Sequence, residues 1–553
     1  MSLSINNNSL SLNVQRKFAE HTNEATRLVA RLSSGARVQG AVDDPAGQAV
    51  AARMGSRLTG MSQVMRTLND TTSMLQVADS TLSNITDSLQ RLRELAVASG
   101  NGSYTDGDRN TLQKEADQLV AQITQAGDGA TFNGQAIFSP EYVTSSEDKN
   151  KRAVLDSLRA GWLSSAEDLV QQYYGLQADG TTLKINLDTT DGKGGVLASV
   201  TGSTAANSDV TLNIDMADFT GGTTPDGGSG PVFDDRVIAH EMVHAIMLRS
   251  TSFDFPQWFT EGTAELIHGA DERVAGALAS GQTAAGIVST ITSGGFSYEG
   301  GYVASRYLHD KLKSMGVAGG MKGLMTYLNQ NRGTTLDDAL KAVTGNQYRN
   351  VGDFMTDFAA GGANFITNTM NLANDDTGAI GGQDADGGPS RDAQGVVAES
   401  GLGTIGKPLR NFKVEYPDIG SASPSIHRVQ IQAGADPGDL IEMRFAAVNA
   451  SALGLADLDM HNTAVALLRI DDALTSVTEQ RVQVGAYSNR MDVVASNTRT
   501  ASTDLETARS RIQDVDFAGS TVQLTRVQIL QQAASAMLSQ ANGEPRAVLA
   551  LLR

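Results

Sequence analysis

The sequence contains no cysteine. That excludes disulfides and thiolate metal sites, so any metal must be held by His, Asp or Glu. Positive charge is scarce: 43 Lys and Arg face 62 Asp and Glu, a net charge of −19. The chain therefore lacks the basic face with which a nucleic-acid binder displaces phosphate counterions. No apolar run approaches the roughly 20 residues of a membrane span. The N-terminus, "MSLSINNNSLSLNVQRKF", has no basic stretch followed by an apolar core, so no secretory signal peptide is expected. Either the protein stays in the cytosol or it leaves by a route that reads something else. Aromatics make up only 5%, while Ala, Gly, Ser and Thr are plentiful, a composition that suits long helices packed through small side chains. A chain of 553 residues predicts several domains.

Three regions differ in rhythm. Near the N-terminus, Leu10, Val14, Phe18, Ala25, Leu28 and Leu32 trace one helical stripe, which Gly35 stops. Leu68, Leu75, Ala78, Leu82, Ile85, Leu89, Leu92 and Ala96 then recur at steps of three and four, the spacing of a coiled-coil seam. Leu112, Ala116, Leu119 and Ile123 repeat it. At the other end Leu467, Ile470, Leu474, Val477, Val484 and Met491 keep the same rhythm, and Val527, Leu530, Ala534, Met537 and Ala541 carry it on. Such seams are too long for lone helices and predict that the two ends pack on each other. The middle, 142–424, mixes helical patterns with strand alternation in "TLKINLD" and "SDVTLNIDM". The stretch 374–395 is acidic and glycine-rich; its "DADG" lacks the ligand spacing and closing Glu of an EF-hand loop.

The ends carry a specific resemblance. "RLSSGARVQGAVDDPAGQAVAARM" (31–54), "LQRLRELAVASGNG" (89–102) and "ATFNGQAIFS" (130–139) closely resemble blocks of the bacterial flagellin N-terminus. "VQIQAGADPGDLIEMRF" (429–445) and "RIQDVDFAGSTVQLTRVQILQQAASAMLSQAN" (511–542) resemble its C-terminal part. The resemblance implies a subunit of a helical homopolymer, the extracellular flagellar filament. It also implies export without a cleaved signal peptide, through the flagellar type III apparatus with an export chaperone. The cysteine-free sequence suits that route, because a crosslinked chain would not thread a narrow channel. Gln90, Arg91, Leu95 and Glu115 match the segment that a host Toll-like receptor reads in some flagellins; filament contact alone would account for them equally.

The middle holds "RVIAHEMVHAIM" (236–247). On a helix His240 and His244 share a face, where two imidazoles can bind one Zn²⁺. Glu241 stands beside the first of them, within reach of an activated water, and apolar neighbours would bury the helix. A catalytic zinc needs a third protein ligand. "QWFTEGTAELIHG" (257–269), after Pro256, resembles the second ligand helix of the gluzincin peptidases. That resemblance implies Glu261 as the third ligand and Glu265 as the group that orients a ligand histidine. His268 is a rival ligand, read as a surface residue of the same helix. "GGFSYEGGYVASRYLHDKL" (294–312) resembles the gluzincin helix that carries the catalytic tyrosine; Tyr298 matches best and Tyr302 is the runner-up. "SDVTLNIDM" resembles the edge strand that binds an extended substrate.

The implied mechanism has Glu241 as general base and the tyrosine as oxyanion donor, acting with Zn²⁺ on protein substrates. The expected fold is multidomain α+β. Flagellin helices form a terminal coiled-coil core (1–141 and 425–553), and an α+β zincin-like metallopeptidase domain is inserted at 142–424. Such a chimera resembles the flagellin-metallopeptidases called flagellinolysins. The alternative is a purely structural or adhesive flagellin whose insert is an inactive relic.

Overall fold

The computed structural model describes residues 8–139, 146–188, 192–205, 208–219, 226–251, 254–398, 404–417 and 426–551. It is mostly helical, with one four-stranded sheet and three two-stranded ones. Two compact units emerge. One comprises Met1–Val77, Arg428–Arg444 and Val482–Arg553; the other comprises Ala78–His427 and Phe445–Arg481.

In the first unit, helix Ser9–Ser34 packs along helix Phe517–Leu551. Polar bonds fix their register: Ser11 Oγ donates to Asn542 Oδ1 at 2.7 Å, and Gln531 Nε2 to Thr22 Oγ1 at 3.1 Å. Gly35 ends the first helix at φ 70°, a left-handed conformation that costs glycine nothing. The expected seam is only partly closed. Leu28, Val527 and Ala541 are buried, whereas Leu10, Leu530 and Met537 are exposed. The reason is geometric: a pair of helices buries one stripe, and a wider apolar face needs further helices to cover it.

In the second unit the seam is largely closed, with Leu112, Leu119 and Leu474 only half-buried. Ala78, Leu82, Ile85, Leu89, Leu92 and Ala96 of helix Pro45–Ser99 are all inaccessible to solvent. Ile470 and Val477 of helix Thr463–Gln513 and Ala116 and Ile123 of helix Asp106–Gly129 are equally covered. Leu95 is buried too, while Gln90 and Arg91 are exposed. Arg91 pairs with Glu115 and with Glu94, each at 2.8 Å. The four residues read as one receptor-facing set therefore do not share a surface, because Leu95 belongs to the packed side of its helix.

The same unit holds the sheet, with strands in the order Ala198–Gly202, Val210–Asp215, Thr182–Asp188, Lys413–Glu415. The two predicted strands pair in parallel, with Leu183 opposite Val210, Ile185 opposite Leu212 and Leu187 opposite Ile214. The edge-strand expectation is corrected here. "SDVTLNIDM" forms an interior strand, and Ala198–Gly202, antiparallel to it, is the edge. Alternation reports which face of a strand is buried, not its place in the sheet.

The central region is tied to the flagellin-like helices by charge. Arg469 donates from Nε to Asp156 Oδ2 at 2.7 Å, with both side chains buried. Around it, Arg159 reaches Asp472 at 2.7 Å and Arg469 reaches Asp457 at 3.2 Å. Burial raises the Asp156 carboxyl, and Arg469 is the first cation that opposes the shift. Removing one partner of a buried pair strands the other, at about 3–5 kcal/mol. Arg469→Ala should therefore lower the denaturant midpoint of this unit markedly, while the paired change Arg469→Met with Asp156→Leu recovers most of it. Equal midpoints for wild type and Arg469→Ala would show that the pair contributes nothing.

Candidate metal centre

Helix Asp234–Ser250 carries the HExxH motif. Ile238, Ala239, Met242, Val243, Ala245 and Ile246 are fully enclosed, so the helix is a core element rather than an amphipathic surface one. Its C-terminal end is satisfied from outside. Arg332 Nε donates to the Ser250 carbonyl at 3.0 Å, and Arg249 bonds Asp179 at 2.5 Å and the Ser203 carbonyl at 2.7 Å. Arg249 thereby fixes the helix to the chain that leaves the edge strand.

Helix Gln257–His268 follows, with Pro256 at its N-cap. It packs closely against helix Tyr298–Ser314. A methyl group on Gly262 would overlap the Gly301 carbonyl and Ser305 Oγ. This explains the glycine next to Glu261: the crossing brings Glu261 and Tyr298 to one cleft.

Three donors converge there. His240 Nε2 and His244 Nε2 are 3.1 Å apart, and Glu261 Oε2 lies 3.2 Å from the first and 3.3 Å from the second. Ligands at about 2.0–2.1 Å from one tetrahedral ion stand about 3.3–3.4 Å from one another. The three donors are thus spaced as three corners of a zinc tetrahedron, with nitrogen and oxygen donors that zinc accepts. Behind them, Glu265 Oε1 lies 3.4 Å from His240 Nδ1, on the opposite edge of the ring. Burial opposes charge on His240, yet hydrogen bonds to Glu261 and Glu265 raise its pKa to about 10. Burial opposes the charge on Glu261 as well, and hydrogen bonds to His240 and His244 hold it far below the ordinary carboxylate range. The cluster therefore favours positive charge at its centre.

Glu241 faces the same cleft. Burial raises its carboxyl, partly offset by His240, His244 and the Val200 backbone N–H of the edge strand. The cleft is about 410 Å³ and is lined by His240, Glu241, His244, Glu261 and Tyr298 together with Ser199 and Val200. Tyr298 opens its helix, is 44% exposed, and has its ring centroid 6.2 Å from that of His240. Tyr302, one turn on, is 0% exposed, and its hydroxyl donates to Asp271 at 2.8 Å. Of the two candidate tyrosines, only Tyr298 lines the cleft.

His268 is not a surface residue. It is buried, with Arg236 Nη2 3.3 Å from its Nδ1. Burial first, and then the neighbouring guanidinium, hold its pKa well below the ordinary histidine value. It shares Glu265 with His240 on the enclosed side, where Arg236 opposes a further cation. Arg273, which sequence reasoning did not single out, stacks over the Tyr298 ring at 5.3 Å and approaches Glu265 at 3.4 Å. No residue spacing signals it, because it lies on the next helix, Asp271–Ala279.

The two ends of the chain match the bacterial flagellin N-terminal helical region over residues 5–142 and the bacterial flagellin C-terminal helical region over residues 467–552. Among curated relatives, the flagellin of Salmonella typhimurium is 27% identical over 562 residues, 99% of each chain. The B-type flagellin of Pseudomonas aeruginosa is 28% identical over 555 residues, 100% of each. A phase 1 flagellin of Salmonella naestved is 38% identical over 137 residues, 25% of this chain and 27% of that one. Paired helical ends of this kind define a polymer-forming filament subunit. The chain carries both flagellin terminal regions, and it is a flagellin subunit of the flagellar filament, which lies outside the cell. No single helix among the described residues is long and apolar enough to cross a membrane.

The glycine crossing yields a prediction. Gly262→Ala must push the two helices apart against a backbone carbonyl, which does not rotate away. It should lower the melting temperature and weaken metal binding at least tenfold, because Glu261 moves with its helix. Gly276→Ala, inside a helix at a position where a methyl group meets nothing, is the control: it should leave metal binding unchanged and raise rather than lower the melting temperature. Calorimetry and a metal titration on both variants check this.

Proposed function

We propose that this flagellin displays a zinc endopeptidase in its central region. The observation that carries the reading is the triangle of His240, His244 and Glu261 at tetrahedral spacing, with Glu241 facing the same cleft. His240, His244 and Glu261 would hold the ion, and Glu265 would fix the tautomer of His240. A bound zinc supplies Lewis acidity and makes water a nucleophile near neutral pH. The residues of the chain do the rest. Glu241, raised by burial, accepts the proton of the attacking water and passes it to the leaving amine. The Tyr298 hydroxyl donates to the oxygen on which charge develops. The edge strand Ala198–Gly202 offers its backbone to an extended polypeptide, with Ser199 and Val200 at the cleft wall. The substrates are proteins met outside the cell, and the other partners are neighbouring flagellin subunits, the flagellar type III export apparatus and its chaperone.

Metal analysis of purified filaments beside a protein-cleavage assay tests the reading. Wild type should hold about one zinc per subunit and lose cleavage on chelation; His244→Ala should lose the zinc. Glu241→Gln should keep zinc and cut nothing. Zinc-free wild type, or a cleaving Glu241→Gln, would sink the assignment and leave a structural flagellin.

The tyrosine is tested separately. Tyr298→Phe should lower kcat by roughly 10²–10³ with little change in KM, the size of one lost oxyanion donor. Wild-type kcat in that variant would remove Tyr298 from the mechanism.

A further inference from the structure

One cation beside the metal centre touches two of its members at once. Arg273 stands on helix Asp271–Ala279, next to the ligand helix rather than on it. Its Nε lies 3.4 Å from Glu265 Oε2, and its guanidinium carbon stands over the Tyr298 ring, 5.3 Å from the centroid. Glu265 Oε2 is enclosed and accepts no hydrogen bond, so the charge of Arg273 is what faces it. The other oxygen of Glu265 is turned to His240 Nδ1 at 3.4 Å. Tyr298 has two further ring neighbours: Phe296 meets it edge-on at 5.1 Å, and the His240 ring lies 6.2 Å away. These groups line a cavity of about 570 Å³ on the far side of His240. Arg236 also lines it, but its guanidinium is spent on Glu272 at 2.5 Å and on the Gly269 carbonyl at 2.7 Å.

Resting on the peptidase reading above, we propose that Arg273 is a positioning residue: anchored on Glu265, it holds the Tyr298 ring by its face and so keeps the hydroxyl in the cleft. The need arises from where Tyr298 stands. It opens its helix and is 44% exposed, so the interior does not fix it as it fixes Tyr302. The backbone of that first turn is capped, since Ser297 Oγ accepts the Gly300 N–H at 3.2 Å. The side chain has no such anchor. Its hydroxyl has no hydrogen-bond partner among the described residues, so the ring contacts set where it points. A cation over the ring face supplies a directional contact that edge-on packing against Phe296 lacks. The charges agree with this placement. After burial, Glu261, Glu265 and Glu241 raise the Tyr298 hydroxyl, and Arg273 is the cation that opposes them. Arginine suits the place better than lysine, because its planar fork can stack on a ring and meet a carboxylate together.

The test reads the ring, the metal and the reaction separately. The full-length protein is labelled with 3-fluorotyrosine, and the fluorine resonance of Tyr298 is assigned by its loss in Tyr298→Phe. Arg273→Gln should move that resonance toward the position of free fluorotyrosine and leave zinc content unchanged. Arg273→Lys, which keeps a cation, should hold it part-way. On labelled casein, Arg273→Gln should lower kcat roughly 10- to 100-fold with little change in KM, the order expected of a misplaced catalytic group, and Arg273→Lys should recover part of the loss. In the Tyr298→Phe background Arg273→Gln should cost nothing further, because the group that it positions is gone. An unmoved resonance, an undiminished loss in the Tyr298→Phe background, or zinc lost from Arg273→Gln would overturn the proposal. Wild type that cleaves, and slows in Tyr298→Phe but not in Arg273→Gln, would overturn this role alone. Wild type that holds no zinc and cleaves nothing would overturn the peptidase reading, and this role with it.

Discussion

A helix that carries two imidazoles and a carboxylate into an apolar core is stable only if each charge meets an opposite one, because an unpaired buried charge costs several kcal/mol. This constraint organises the central region. Glu261 faces His240 and His244 from one side, and Glu265 faces His240 from the other. Both carboxylates come from one helix, four residues apart, so that helix has to run beside the motif helix. Farther along, Arg249 is neutralised by Asp179, and Arg236 by Glu272. Each pair draws in another segment. The surroundings of the motif helix are in this sense a list of its charges.

Charge pairing sets which helices are neighbours, and side-chain size sets how closely they approach. Gly262 and Gly301 let two helices touch through backbone, and that contact turns Tyr298 toward the ion cluster while Tyr302, one turn on, is driven into the interior against Asp271. Two tyrosines four residues apart lie on the same side of a helix. What separates them is depth: Tyr298 stands at the exposed first turn and Tyr302 lies beneath the crossing.

The sequence made the local rules legible. The i, i+4 spacing put His240 and His244 together, the alternation of Leu183, Ile185 and Leu187 matched the buried face of a strand, and Gly35 marked a helix end. What it hid was set by distant segments. Ala198–Gly202 became the edge strand because Val210–Asp215 found Thr182–Asp188 on its other side, a choice that no period of two encodes. His268 looked like a surface residue at the end of a short helix, but the chain at Thr377 and Arg236 closes over that end. Leu95 looked like one of a receptor-facing set, yet it packs inward beside the seam of Leu89, Leu92 and Ala96. In each case periodicity gave the face of an element and the tertiary neighbours decided whether that face saw water.

A chain without cysteine has no covalent means of holding such a region together. Its cross-links are ionic, and they fall into two kinds. Arg469 with Asp156, and Arg249 with Asp179, are closed within the chain. The His240 cluster is different, since His240, His244 and Glu261 converge on one point and Glu265 closes it from behind. Folding those donors together costs desolvation, which the facing carboxylates of Glu261 and Glu265 offset.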